Sequence, residues 1–162
     1  MLPESLQSLP VPAALEASDP QAIVSGSLEL GELLLWVAPG KIVSVCRELR
    51  DNLGFERICA VTAIDRYPLE PRFEVVYFVH SISRNLRLKL KVALPGADPA
   101  VESVTAVWPG ANWYEREAFD LFGIRFEGHP NLKRIMMPEG WEGHPLRRDF
   151  PTHGHKYSYQ NE

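Results

Sequence analysis

The chain has 162 residues, of which 45% are hydrophobic and 23% charged, and its formal net charge is −4. That length fits one domain with a real core, and the lack of a basic excess excludes a dedicated nucleic-acid binder. The longest apolar run, Leu33 to Pro39, is far short of the ~20 residues that cross a bilayer, so any membrane association is expected to be indirect.

In chain order, residues 1–20 contain Glu4, Glu16 and Asp19 but no Lys or Arg, unlike a secretory or transit peptide, and read as a loose, Pro-broken lead-in. Ala22 to Leu28 and Leu33 to Val37 form a predicted hairpin, with Gly31 in its turn. From Lys41 to Leu53, Ile42, Val45, Cys46, Leu49 and Leu53 recur at helical spacing opposite Arg47, Glu48, Arg50 and Asp51, and Gly54 closes the run. Glu56 to Ile64 is β-branched and small, predicting a strand buried on both faces. Arg72 to Ile82 and Leu86 to Leu94 pair around Ser83-Arg84-Asn85. In the second of these, Leu86, Leu88, Leu90, Val92 and Leu94 alternate with Arg87, Lys89 and Lys91, giving one apolar face and one basic face turned to water or to acidic neighbours. Val101 to Trp108 fits either a short strand or a helical turn.

Cys46 and Cys59 fall on expected core faces and read as small buried hydrophobes rather than a disulfide. Two cysteines also fall short of the four ligands that an iron–sulfur cluster normally takes.

The most informative segment is Trp113 to Gly123, Trp-Tyr-Glu-Arg-Glu-Ala-Phe-Asp-Leu-Phe-Gly. Asn112 stands as N-cap with Glu115 three residues on, and Gly123 stands at C′. On a helix Glu115, Phe119 and Phe122 share one side, Tyr114, Ala118 and Leu121 a second, and Trp113, Glu117 and Asp120 a third. Large apolar groups point nearly all round, so the helix is expected to be largely enclosed and its acids to need partners. Arg116 can reach Asp120 at i+4. Paired carboxylates also suit acid–base chemistry, but no nucleophile motif or phosphate-binding glycine loop accompanies them, which leaves structural ion pairs as the simpler reading.

Beyond Phe126, Pro130, Pro138, Pro145, Pro151 and four glycines interrupt everything, and only Leu132 to Met137 could hold a short strand or turn. So long an irregular segment reads as an extended arm ordered against something else. Gly128-His129-Pro130 and Gly143-His144-Pro145 repeat a tripeptide, attributed to shared turn chemistry. His129, His144, His153 and His155 cluster here without metal-ligand spacing, so no metal site is expected. Trp141, His144, Pro145, Leu146, Arg147, Arg148, Asp149 and Phe150 mix aromatic ends with a basic and acidic centre, as binding surfaces do.

These three blocks, Trp113 to Ile124, Gly128-His129-Pro130-x-Leu132-x-Arg134-Ile135-Met136-Met137, and Gly143 to Pro151, resemble in sequence and order the C-subunit (30 kDa) family of respiratory NADH:quinone oxidoreductase, complex I. The resemblance implies an α+β fold, a single domain with a mixed or antiparallel sheet of about four to five strands and flanking helices. Residues 21–127 would form the core domain and residues 128–162 a partner-binding arm. Trp113, Glu115, Arg116, Glu117, Phe119, Asp120, Phe122 and Gly123 would be the structural signature. His129, Pro130, Arg134 and the arm residues from Trp141 to Phe150 would face the partners, mainly the hydrogenase-like D subunit beside the quinone cavity and also the cluster-bearing B and I subunits. Glu115, Glu117 and Asp120 would pair with arginines, Arg147 or Arg148 among them. No catalytic, cofactor-binding or metal residue is implied: NADH, FMN, iron–sulfur clusters and quinone would belong to partner subunits. The chain would be a non-catalytic scaffold, peripheral on the cytoplasmic side of the bacterial inner membrane. Ending soon after Tyr159, it is expected to carry no fused D subunit. The alternatives are an equivalent adaptor in a related membrane-bound hydrogenase, dehydrogenase or plastoquinone-reducing complex, and a carboxylate-dependent hydrolase.

Overall fold

The computed structural model describes residues 4–151. Two helices open the chain, α1 (Glu4–Gln7) and α2 (Pro10–Ser18), where a loose lead-in was expected. Prolines at the start of α2 do not break it, because the first turn has no partner for their missing N–H, and Leu6, Val11 and Leu15 enter the core. The hairpin β1 (Ile23–Glu29) and β2 (Glu32–Val37) turns through Leu30 and Gly31, both at positive φ, as a tight two-residue hairpin requires.

A 3-10 turn at Pro39–Lys41 leads into α3 (Ile42–Asp51), which buries Ile42, Val45, Cys46 and Leu49. Strands β3 (Arg57–Asp65), β4 (Phe73–Ser81) and β5 (Leu86–Leu94) complete a five-stranded sheet in the order β1-β2-β5-β4-β3. All neighbours are antiparallel except β2 and β5, which run parallel. The fold is α+β with a mixed sheet, as expected.

Side-chain parity on the strands decides what each sheet face meets. Phe73, Val75, Tyr77 and Val79 on β4 and Leu88, Leu90, Val92 and Leu94 on β5 share one core with residues of α2, α3 and α4 (Ala111–Phe122). The other face carries Glu32, Trp36, Glu74, Phe78, His80 and the basic residues of β5, several of them paired: Lys89 with Glu32 at 2.8 Å and Lys91 with Glu74 at 3.1 Å. Two strand expectations are corrected here. β3 is an edge strand, buried through Ile58, Val61, Ala63 and Asp65 but more open on its other face, because among the described residues no second layer of helices covers that side. Cys59 is therefore half-exposed, at a register irregularity, whereas Cys46 is in the core. Leu86, at the mouth of its strand, is also exposed.

Before α4, Val101 to Trp108 divides into β6 (Ala100–Glu102) and a turn. β6 pairs in parallel with β7 (Arg125–Glu127), a three-residue strand with no periodicity to announce it. Leu132 to Met137 contains neither helix nor strand.

Candidate functional site

Helix α4 starts two residues earlier than expected. Gly110 is its N-cap and makes no side-chain cap, so Asn112 lies inside the helix and Glu115 closes no capping box. The C-terminus is as expected: Gly123 adopts φ 74°, and its N–H donates to the Phe119 carbonyl at 2.9 Å.

A helix end leaves four carbonyls without intrahelical partners, and here the arm supplies the other three donors. His144 Nδ1 donates to the Asp120 carbonyl at 2.9 Å, the Leu146 N–H to the Leu121 carbonyl at 3.0 Å, and Arg147 Nε to the Phe122 carbonyl at 2.6 Å. Arg147 and Arg134 also bring positive charge to the negative end of the helix dipole. A Cβ on Gly123 would lie 2.5 Å from both Arg147 Nη2 and His144 Nε2, so glycine is required for this close approach as well as for its φ.

Asp120 is fully buried and faces the arm. One of its oxygens accepts from Arg134 Nη1 at 2.8 Å. The other accepts the N–H groups of Ile135, Met136 and Met137 at 2.9, 2.7 and 3.0 Å. Burial pushes its carboxyl up, but these four donors outweigh burial and hold it below the usual range. Its charge therefore folds residues 134–137 into a cradle with no helix or strand. Arg116 does not take part, contrary to expectation: it donates to the Lys133 carbonyl at 3.0 Å and lies over the Trp113 ring at 4.8 Å.

The two Gly-His-Pro turns now have a physical meaning. Gly128 and Gly143 both stand at positive φ. His129 Nε2 donates to the Asn112 carbonyl at 3.2 Å, near the start of α4, while His144 serves the end. Burial lowers both histidine pKa values, matching their use as neutral donors.

Glu115 is the second fully buried acid, and it pairs with no arginine. It accepts the Ser103 hydroxyl at 2.6 Å and the Val104 N–H at 2.7 Å, with His129 Nε2 4.0 Å away. This ties α4 to the segment after β6. Burial pushes its pKa up to about 7 against the pull of those two donors. A folded value above the ordinary 4.5 means that the associated stability is complete below that pH and is lost as pH rises through about 7. Glu115→Gln is expected to flatten that decline, raising the thermal midpoint relative to the parent above pH ~7 and changing it little near pH ~5. Parallel melting curves across this range check it; an unchanged slope would reject the assignment.

A second anchor fixes the arm to the sheet. Arg72 forms bidentate bonds to Asp65, at 2.9 and 2.8 Å, and also reaches Asp149 on the arm at 2.6 and 3.0 Å. Asp65 further accepts the Arg148 N–H at 2.9 Å, so the Arg148 backbone, not its guanidinium, meets an acid. Burial alone would raise the Asp65 pKa, but Arg72 and the N–H groups of Arg148 and Tyr67 hold it at about 2.

The outward side of the same region is apolar. Trp113, Met136, Trp141 and Leu146 expose 63%, 60%, 40% and 52% of their surface. Glu117, Pro130 and Arg148 are also exposed, while Phe119, Pro145 and Phe150 are half-buried. Glu117 and Asp120, predicted to share a side of a mostly enclosed helix, are thus separated: Asp120 is interior, and the Trp113–Glu117 side is open. Glu117 pairs with no arginine among the described residues, and Arg147 serves a carbonyl instead. His153 and His155 lie outside the described residues. Among those described, no group of three or more His, Cys, Asp or Glu is placed to hold a metal, and no helix is long and apolar enough to cross a membrane.

Fold and site together define an α+β domain whose most distinctive helix is clasped by its own C-terminal arm. The chain belongs to the 30 kDa subunit family of the respiratory-chain NADH dehydrogenase, whose family model matches residues 35–156. It is 48% identical over 152 residues to the C subunit of the NADH-quinone oxidoreductase of Roseiflexus sp. (strain RS-1), covering 91% of this chain and 86% of that protein. The corresponding C subunit of Geobacter sulfurreducens is 46% identical over 125 residues, covering 76% and 77%. Among solved structures, Nqo5 of a trypsin-resistant fragment (1-134) matches with a TM-score of 0.65 and 30% identity, covering 75% of this chain and 98% of that one. A chain of the membrane-bound sulfane sulfur reductase, an archaeal respiratory membrane complex, matches with a TM-score of 0.75 and 25% identity, covering 88% and 84%.

Proposed function

We propose that the chain is a structural and assembly component of the peripheral, quinone-module arm of a proton-translocating NADH:quinone oxidoreductase. In this reading it binds no NADH, flavin, iron–sulfur cluster or quinone itself, and supports electron transfer by clamping the subunits that do. Its position is peripheral, on the cytoplasmic side of the inner membrane, against the hydrogenase-like D subunit and near the cluster-bearing B and I subunits.

The observation that carries this reading is the two-sidedness of the arm. Its inner groups are spent on the chain's own carbonyls and acids, which makes a rigid platform. Trp113, Met136, Trp141 and Leu146 remain exposed around it, an aromatic and apolar set of the kind that anchors interfaces. A rigid platform matters because catalytic geometry fails at displacements of about 1 Å, so holding neighbours in register is itself a contribution to turnover.

Trp113→Ala combined with Glu117→Ala, both on the open face of α4, is expected to lower the amount of assembled complex in membranes while leaving turnover per assembled complex near the parent value. Native gels and quinone-reductase activity normalised to complex content measure the two. Normal assembly with depressed turnover would instead favour a direct part in the chemistry. The likeness to a chain of the sulfane sulfur reductase supports a second reading as an adaptor in a related membrane complex, which the identity of co-purifying chains decides.

A further inference from the structure

The sheet face turned away from the helices holds a cavity of about 630 Å3. Strand register sets its basic rim. Arg57 on β3 stands opposite His80 on β4, and His80 stands opposite Arg87 on β5, so three basic side chains line up across strands ~4.8 Å apart. Further along the same face, Phe78 stands opposite Lys89.

Arg57 and Arg87 therefore stand on one face two strands apart, about 10 Å, and little here offsets their like charge. The Arg57 side chain makes no hydrogen bond or ion pair among the described residues. Among the described residues Arg87 reaches only Glu32, at 3.9 Å, and that carboxylate is already held by Lys89 at 2.8 Å. His80 Nε2 is buried without a hydrogen-bond partner among the described residues, a state that normally costs folding free energy. Three permanent cations against one carboxylate thus converge on a concavity in a chain whose net charge is −4.

We propose that this cavity binds a small phosphate-bearing anion, with the phosphate bridging Arg57 and Arg87 and the rest of the molecule lying against Phe78. Guanidinium forks match phosphate oxygens two at a time. The volume lies within the ~300–1,000 Å3 of small-molecule sites. The cations converge around a hollow instead of running along a strand, which favours a compact ligand over an acidic protein segment. The site is on the opposite sheet face from α4 and the arm, apart from the exposed aromatic and apolar surface proposed above for assembly.

The test titrates the full chain with inorganic pyrophosphate, ADP and uncharged adenosine, read by calorimetry and by the alkylation rate of Cys59, which lines the cavity while Cys46 is buried. Pyrophosphate and ADP are expected to bind saturably with sub-millimolar affinity and to slow Cys59 alkylation, and adenosine to do neither. Arg57→Ala with Arg87→Ala is expected to weaken binding at least tenfold, about the worth of one charge-assisted hydrogen bond. The thermal midpoint of this variant should be unchanged or raised, because it removes two like charges, neither of them well paired, from one sheet face. Arg125→Ala, at an exposed arginine paired with Asp98, is expected to bind as the parent does. No saturation by ~10 mM, equal affinity in the double variant, or tighter binding of a poly-glutamate peptide would each overturn the proposal.

Discussion

Asp120→Ala is expected to destabilise the folded chain by about 3–5 kcal/mol, the usual consequence of removing one member of a buried, hydrogen-bonded charge pair. It leaves the Arg134 guanidinium and three N–H groups, those of Ile135, Met136 and Met137, facing an empty position. The effect should be local as well as global, because the arm between residues 128 and 151 contains no helix or strand to hold itself. Limited proteolysis should therefore cut that segment well before the sheet, and urea titration should show the loss of stability. Asp120→Asn, which keeps an acceptor oxygen but loses the charge, should fall between parent and alanine. Because the folded pKa lies below the ordinary 3.8, the parent's contribution is present above that value and is lost as pH falls through the lower folded one; this acid limb should shrink in both variants. An arm as protected as the parent's would show that the cradle does not depend on the carboxylate.

Arg72→Ala should be of similar size, about 3–5 kcal/mol, since it strips the counter-ion from Asp65, whose side chain is only 1% exposed. Asp149→Ala removes the other, more exposed partner and should cost no more than about 1 kcal/mol. Arg72→Lys should recover only part of the loss, because one ammonium cannot reproduce two parallel bonds to Asp65 or the stacking over Tyr67 and Phe73. The pH dependence supplies a check. With Asp65 held at about 2 against an ordinary 3.8, stability on the order of 2 kcal/mol is complete above pH ~4 and is lost as pH falls towards 2. That acid-side loss should be largely missing from Arg72→Ala, and comparison of acid unfolding curves measures it.

Local patterns of the chain proved readable wherever one element decides its own form. The hairpin turn, the apolar stripe of α3, the alternation of β5 and the glycine end of α4 each follow from residues within a few positions of one another. Failures arose where two rules competed or where partners were distant. Pro10 and Pro12 read as breakers although a first helical turn tolerates them. Asn112 and Glu115 have capping-box spacing, yet Glu115 turns inward to Ser103 and Val104. The arm reads in sequence as ordered against something else, whereas it packs on this chain's own α4 and sheet; its partners there lie far off in sequence, Arg148 meeting Asp65 and Asp149 meeting Arg72, and no local period encodes such pairs. For the contacts at the end of α4, a signal was available. Histidines and arginines following the glycine end of a helix are suited to its last carbonyls, and His144 and Arg147 do serve them.

The strand order β1-β2-β5-β4-β3 also sets a timetable. The β1–β2 hairpin emerges from the ribosome before the rest of the sheet, and the strand beside which β2 must lie, Leu86–Leu94, is made some fifty residues later. Until then Leu33, Leu35 and Val37 have no neighbour on that side, and a nascent chain stalled before Leu86 presents a sticky, half-finished edge. Completion runs from the middle outwards: β5 arrives, joins hairpin to meander, and only afterwards can residues 144–149 fasten onto Asp65, Arg72 and the end of α4.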